Sequence, residues 1–195
     1  SLEEMTIPSN ISSISESSFY SCTALQKVSI PSSVTLICDN AFSGCSLLQE
    51  IIIPSSVTKI GEYSFKDCVS LQKVIFVDQP SITKISDYAF AGCLSIVEFT
   101  LPSSLTEIGV GSFSRCTKLK ELKIPNSVKF IGEAAFCLCQ SLEEMTIPSN
   151  VESIYESSFY GCTSLKKVSI PDSVPFYSED IKVSGYDSTF KLIRT

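Results

Sequence analysis

The chain has 195 residues, of which 44% are hydrophobic and 18% are charged, so it carries enough apolar material to bury a core. Its formal net charge of −6 argues against nucleic acid as a partner, because phosphate neutralisation needs clustered Lys and Arg. The sequence contains 0 His, which excludes Ser-His-Asp and Cys-His nucleophiles and imidazole metal ligands. No apolar run approaches the ~18 residues that a membrane-spanning helix needs.

One repeat unit fills most of the chain, and a clear copy is LQEIIIPSSVTKIGEYSFKDC, Leu48 to Cys68. Successive copies start 23 residues apart, except for one interval of 25 that contains two extra residues around Val77-Asp78-Gln79-Pro80. This period predicts a stacked array in which each copy contacts its neighbours. The apolar residues that open the copies are Leu2, Leu25, Leu48, Leu71, Ile96, Leu119, Leu142 and Leu165.

Each copy starts with a segment such as LQEIIIP, in which inward apolar residues alternate with variable ones as in a β-strand. A Pro ends most of these segments, because proline has no N–H to donate to a ladder. We expect parallel strands, paired in chain order, near Glu3–Ile7, Gln26–Ile30, Gln49–Ile53, Gln72–Phe76, Val97–Leu101, Lys120–Ile124, Glu143–Ile147 and Lys166–Ile170.

Two further pieces complete each copy. A segment such as VTKI predicts a second short extended element. The following GEYSFKDC places Cys three residues after Phe, a spacing that suits one helical or 3₁₀ turn. Because stacked strands lie about 4.8 Å apart, the Phe residues should form a buried ladder, preceded by a ladder of Ser and Ala. The Phe ladder is Phe19, Phe42, Phe65, Phe90, Phe113, Phe136 and Phe159.

Seven of the 9 cysteines recur at one repeat position, and we expect them to be buried, reduced and structural. Cys38 and Cys137 lie off this ladder and should be more exposed and more reactive. A zinc site at Cys137-x-Cys139 has weak support, because the spacing is too short and a second pair is missing. The ladder consists of Cys22, Cys45, Cys68, Cys93, Cys116, Cys139 and Cys162.

The pattern L-x-x-[IV]-x-[IL]-P-x-[SN]-[VIL]-x-x-I-x-x-x-[AS]-F-x-x-C resembles the BspA-like (Treponema pallidum-type) leucine-rich repeat from about Leu2 to Val174. The resemblance implies an α/β repeat solenoid. In such a fold a right-handed coil curves, with a parallel β-sheet on its concave face and short extended or helical turns on its convex face. We therefore predict about eight 23-residue repeats over residues 1–174 and a C-terminal cap over 175–195.

Two segments of the tail, IKV and FKLI, are spaced as in a hairpin, which would cover the last coil. The first residues, SLEEMTIPSN, lack the basic start and apolar core of a signal peptide and begin in mid-repeat. We expect the chain to be part of a longer protein. Asn10-Ile11-Ser12 forms an N-glycosylation sequon, for which chance occurrence remains an alternative.

The resemblance also implies a function, since members of the family resemble surface proteins of bacteria and parasitic protists. We expect a non-enzymatic module that binds proteins or glycoproteins at the cell surface or after secretion, without cofactor or metal. An intracellular, cytoplasmic interaction scaffold remains the alternative, because free thiols suit a reducing compartment. Carboxylate pairs for glycoside hydrolysis remain possible, although most Glu residues fall at solvent positions of the strands.

The outward strand positions point to a binding surface. At the third position the charge alternates along the first five copies and is acidic in three successive copies, at Glu98, Glu121 and Glu144. Two adjacent copies carry Ile at the fifth position. An exposed apolar patch beside charged ladders is a candidate contact site, with ordinary β-propensity as the alternative explanation. The candidate partner-binding residues are Ile52, Ile75, Val97, Glu98, Glu121 and Glu144.

Overall fold

The computed structural model describes residues 2–78, 80–155, 157–175 and 191–195, which form a parallel β-solenoid of about eight coils. Six of these coils contribute a strand from their LQEIIIP-like segment, and we call the outward surface of the LQEIIIP-like segments the strand face. Every strand pairing among the described residues is parallel. The strands of this set are β1 (Glu4–Thr6), β3 (Lys27–Ser29), β5 (Glu50–Ile53), β7 (Lys73–Phe76), β11 (Glu144–Thr146), β13 (Lys167–Ile170) and β14 (Lys191–Arg194).

The VTKI-like segments form a second, seven-stranded sheet, as expected of short extended elements. Each strand has two residues, of which the second is an Ile that points into the core and is almost completely buried. This sheet continues in register past the two-residue insertion. Its strands are β2 (Ser13–Ile14), β4 (Leu36–Ile37), β6 (Lys59–Ile60), β8 (Lys84–Ile85), β9 (Glu107–Ile108), β10 (Phe130–Ile131) and β12 (Ser153–Ile154).

The sheet under the strand face is interrupted, in contrast to the second sheet. It consists of β1 with β3, β5 with β7, and β11 with β13 and β14. Between β7 and β11, the described residues form a single bridge, which joins Glu98 and Glu121. The predicted strands Val97–Leu101 and Lys120–Ile124 are therefore reduced to this one bridge. The other six predicted strands agree with the structure to within one residue at both ends.

Two aromatic side chains, Phe76 and Phe99, provide a physical reason for the interruption between β7 and β11, and this is the gap that we call the interruption. They take inward strand positions where the other coils carry aliphatic side chains or Met. Phe99 packs edge-on against Phe90 and Phe113, with ring centroids 4.9 Å apart in both pairs. The Phe ladder is spaced at 5.1–5.3 Å as far as Phe90 and at 5.7–5.9 Å beyond it. We attribute the missing ladder bonds to this added bulk and to the adjacent insertion.

The core is a set of stacked ladders, of which the Phe ladder contains the largest side chains. All its members are at most 8% exposed, and neighbouring rings lie within 16° of parallel. The small residue before each Phe is buried from Ala41 onward, which lets adjacent coils approach closely. The predicted Phe and small-residue ladders are both confirmed from the second coil to the seventh.

The predicted helical or 3₁₀ turn is not confirmed, because the described residues contain no helix. Each coil instead has two residues with positive φ, four residues apart, on either side of the Phe. A residue in this left-handed region interrupts a right-handed helix. The first such ladder is Ser17, Asn40, Tyr63, Tyr88, Gly111, Ala134 and Ser157, and the second is Ser21, Gly44, Asp67, Gly92, Arg115, Leu138 and Gly161.

Backbone hydrogen bonds show what replaces the helix. The Phe N–H donates to the carbonyl of the small residue in the next coil, as from Phe113 to Ala135 at 2.9 Å. The neighbouring N–H groups alternate, so that Ser112 and Ser114 bond within their own coil whereas Phe113 and Arg115 bond to the next one. The turn therefore helps to hold the coils together, which an isolated helical turn would not do.

The C-terminal tail adds one more strand to the solenoid. β14 pairs in parallel with β13, with Val168 opposite Leu192 and Ser169 opposite Ile193. Lys191, Leu192 and Ile193 of the FKLI segment thus continue the stack of parallel strands. The other half of the predicted hairpin, IKV, lies outside the described residues. No helix in the described part of the chain is long and apolar enough to cross a membrane.

We predict that Phe113→Ala lowers the free energy of unfolding by about 3–5 kcal/mol, because stacked coils cannot collapse into the void that it leaves. Phe113 is fully buried and contacts three other rings. Chemical denaturation measures the effect. The matched control is Phe130→Ala, since Phe130 is 39% exposed in the second sheet and should cost less than about 1 kcal/mol. Similar losses in the two variants would contradict this core.

Candidate functional site

The strand face is built from two outward residues of each strand segment, two positions apart. Alternation in a β-strand turns the residues between them into the core, as at Ile51, which is fully buried between exposed Glu50 and Ile52. The first outward position carries charge in every coil. In register across paired strands, Glu4 lies opposite Lys27, and the same Glu–Lys arrangement recurs between β5 and β7 and between β11 and β13. Opposite charges across neighbouring strands attract.

The bridge between Glu98 and Glu121 breaks this rule, because it places two carboxylates opposite each other. Neither side chain forms an ion pair within the described residues, although Lys120 and Lys123 are close in sequence to Glu121. The other like-charge pair, Lys167 with Lys191, is compensated, since Lys167 lies 3.9 Å from the Glu144 carboxylate. Glu98 and Glu121 are the two acidic side chains that face each other at the interruption without a described ion pair.

Charged ladders elsewhere on the solenoid do find partners. Lys84 lies 2.8 Å from Glu107 and 3.3 Å from Asp87; partial burial alone would lower the pKa of Lys84, but these carboxylates raise it. The Lys166 ammonium donates to Glu143 at 2.9 Å and lowers the pKa of that carboxyl. These ion pairs lie outside the ladder of first outward charges on the strand face, where Glu144 and Lys167 form the one ion pair among the described residues.

An open groove of about 860 Å³ crosses the strand face over the coils that begin at Ile96, Leu119 and Leu142. Glu98, Glu121 and Glu144 line it together, so the structure brings three of the candidate residues to one place. Apolar groups form much of its wall where the ladder is interrupted. We call it the acidic groove, and its apolar wall consists of Phe99, Leu101, Leu122, Ile124, Pro125 and Pro148.

The three apolar candidate residues lie outside the acidic groove. Ile52 and Ile75 are opposite each other in the β5–β7 pair, as expected; Ile52 is 45% exposed and Ile75 is half-buried. Val97 is exposed beside Glu98 and Glu121 in an adjoining hollow. Sequence analysis had not identified the wall residues of the acidic groove. The available signals were Phe99 at an inward strand position and the two acidic residues at one ladder position.

Sequence comparison identifies the repeat. Residues 1–82 and 83–182 match the BspA type leucine-rich repeat region, in 6 copies. The chain belongs to this family. The leucine-rich repeat is in general a protein-interaction module, and the match indicates no catalytic family. No curated protein matches the sequence.

Solved structures of other BspA-type repeats share the fold. A Treponema pallidum leucine-rich repeat protein is 31% identical with a TM-score of 0.68, covering 86% of this chain and 69% of its own. A leucine-rich cell surface protein from Faecalibacterium prausnitzii is 25% identical with a TM-score of 0.62, covering 99% of this chain. The chain spans 59% of the length of that protein. A leucine-rich repeat protein from Eubacterium ventriosum, 24% identical with a TM-score of 0.63, shares the fold.

The cysteine ladder of this BspA-type array has a structural role. From the second coil to the seventh, each Cys thiol donates to the Phe carbonyl of the preceding coil, with sulfur–oxygen distances of 3.1–3.3 Å. Burial raises the pKa of Cys45, Cys116 and Cys162 to about 12, and it raises the pKa of Cys68, Cys93 and Cys139 well above the ordinary value. A buried protonated thiol is inert as a nucleophile.

The two remaining cysteines are half-buried, in agreement with their predicted partial exposure. Burial raises the pKa of Cys137, which a hydrogen bond with Ser114 partly offsets. Cys139 is fully buried and donates into the core, so the two sulfurs of Cys137-x-Cys139 occupy different environments. The described residues contain no group of three or more His, Cys, Asp or Glu side chains placed to hold a metal ion.

We predict that thiol titration of the unfolded, unreduced protein finds all nine cysteines free, as the structure has them. In the folded protein, the fully buried ladder thiols should react much more slowly than Cys38 and Cys137, because reaction needs an accessible thiolate. Titration with a thiol reagent before and after denaturation measures both quantities. Fewer than nine thiols after denaturation would mean that disulfides had formed.

We also predict that the protein loses stability at alkaline pH. The folded pKa values of Cys45, Cys116 and Cys162 lie above the unfolded value of 9.0, so the folded state binds their protons more tightly. Their contribution is complete below pH 9.0 and is lost as the pH rises toward about 12. Each thiol adds a slope of about −1.4 kcal/mol per pH unit in this range.

Denaturation at several pH values measures the slope. In Cys116→Ala the free energy of unfolding should fall less steeply with pH, by about the slope that one thiol contributes. An unchanged slope in that variant would show that the Cys116 thiol does not contribute to the alkaline loss.

Proposed function

We propose that the chain is a non-enzymatic module that binds proteins or glycoproteins through its strand face, displayed at the cell surface or secreted. Membership in the BspA-type leucine-rich repeat family supports the interaction role, and a cell surface protein among its structural relatives supports the location. The core positions of each coil are occupied by ladders that stabilise the stack. Variation is therefore concentrated on outward residues, which is where repeat arrays bind partners.

The observation that carries this proposal is the apolar pair of exposed Ile52 and half-buried Ile75 on the strand face. Ile52 and Ile75 lie directly opposite each other on β5 and β7, flanked by the charge pair of Glu50 and Lys73. Other coils carry Thr, Ser or Lys at this position. Neighbouring exposed Ile side chains favour self-association, so their presence is better explained by a contact surface.

An intracellular scaffold of the same architecture is the second candidate. The nine free thiols favour it, because structural cysteines stay reduced most readily in a reducing compartment. The two functions share the strand face and differ in location. Fractionation of cells that express the complete gene, with an antibody against this chain, would distinguish surface display from a cytoplasmic pool.

We predict that the double variant Ile52→Ser with Ile75→Thr weakens binding to a protein partner by at least about tenfold and changes stability by less than about 1 kcal/mol. A partner would first be identified on an array of matrix proteins and glycoproteins. Surface plasmon resonance then compares the variant with the parent.

The matched control is Leu36→Ser with Phe130→Ser. These apolar residues are 38% and 39% exposed but lie on the second sheet. Equal binding by the Ile variant and the parent would show that the apolar pair is not the contact. Equal loss in both variants would show that the effect is not specific to the strand face.

A further inference from the structure

The acidic groove carries an electrostatic cost that the fold avoids at the equivalent pairs. Glu98 and Glu121 lie opposite each other at a ladder position where β1–β3, β5–β7 and β11–β13 each pair Glu with Lys. Like charges directly opposite destabilise a sheet. Both side chains are exposed and form no ion pair within the described residues, so a cation from outside would gain from both carboxylates.

The apolar wall of the groove restricts the kind of cation that fits there. Where the ladder is interrupted, edges of Leu101, Leu122 and Pro148 border the same space as the carboxylates of Glu98 and Glu121. A small inorganic cation would leave this apolar wall in contact with water. The carboxylates also do not form part of any group suited to hold a metal ion within the described residues. The groove therefore fits an organic cation that carries apolar neighbours.

Geometry favours a guanidinium group as that cation. Adjacent parallel strands are about 4.8 Å apart, so the two carboxylates flank a site that a planar, multiply donating group can span. Arg presents five N–H donors in a rigid fork and is only weakly hydrated, which suits a partly apolar site better than Lys. Lys123 borders the groove from the other outward position of its segment.

We propose that the acidic groove binds a basic segment of a protein partner, in which an Arg side chain spans Glu98 and Glu121 and adjacent apolar side chains contact the wall. This inference rests on the proposed function, since it specifies the chemistry of the protein that the module recognises. The acidic groove differs in location from the Ile52 site, because it begins two coils beyond the coil of Ile52, although Ile75 and Glu98 line one adjoining hollow.

A fluorescein-labelled peptide with alternating Arg and Leu tests the proposal by fluorescence anisotropy with the whole chain at physiological salt. The peptide should bind, whereas versions with Glu in place of Arg or Ser in place of Leu should bind at least about tenfold more weakly. Equal binding by the Ser version would overturn the apolar part. Binding of the Glu version as tightly as the Arg version would overturn the electrostatic part.

Matched variants locate the site. Glu98→Gln with Glu121→Gln should weaken peptide binding at least about tenfold, whereas Glu4→Gln with Glu50→Gln should change it less than about twofold. The control removes the same charge from the same ladder at positions that face Lys27 and Lys73. Equal losses in the two variants would mean general attraction to an acidic protein and would overturn the site.

A stability measurement distinguishes a binding role of Glu98 and Glu121 from a role in stabilising the fold. Glu121→Lys creates an opposite-charge pair with Glu98, so the denaturation midpoint should rise while peptide binding is lost. A lower midpoint, or retained binding, would overturn the proposal. If an array partner binds the parent and the Glu98→Gln, Glu121→Gln variant equally, the groove assignment fails while the proposed binding function stands.

Discussion

The structure depends on one constraint: a single coil can neither form all of its backbone hydrogen bonds nor bury its apolar side chains without its neighbours. The Phe113 N–H finds its acceptor at Ala135 in the next coil, and the Cys139 thiol donates back to the Phe113 carbonyl. A residue at a core position must therefore match the residues 23 places before and after it. Because this requirement repeats in every coil, the core positions stay nearly uniform, and the outward positions are the ones that can vary.

The stacked ladders could be predicted from sequence because identical positions meet in space. Phe and Cys recur at fixed spacing, and a buried ladder is what that recurrence requires. The turn could not be predicted in the same way, because a Phe followed by Cys three residues later fits a helical turn and the observed turn equally well. The informative signal was glycine: Gly44, Gly92 and Gly161 recur at one position with φ of 71–76°, a conformation that glycine adopts most easily.

The acidic groove illustrates a different limit. Glu98, Glu121 and Glu144 were recognised as a like-charge run, but the shape beneath them depends on inward side chains. Phe99 occupies a strand position that is aliphatic or Met elsewhere and inserts against Phe90 and Phe113. The result is a gap in the ladder on one face, while β8 and β9 on the second sheet remain paired in register. Predicting such a gap requires packing volumes, which a repeat pattern does not contain.

The charges at the interruption also indicate where stability and binding oppose each other. On the paired strands, Glu and Lys lie opposite each other in register, and a partner gains little by displacing such a pair from water. Glu98 and Glu121 repel each other instead, so Lys at either position would stabilise the fold. A solenoid with many redundant coil contacts can tolerate this local loss, because the cost is confined to two neighbouring coils. Because the cost is limited to these two coils, their carboxylates can attract a basic segment of a partner without weakening the rest of the stack.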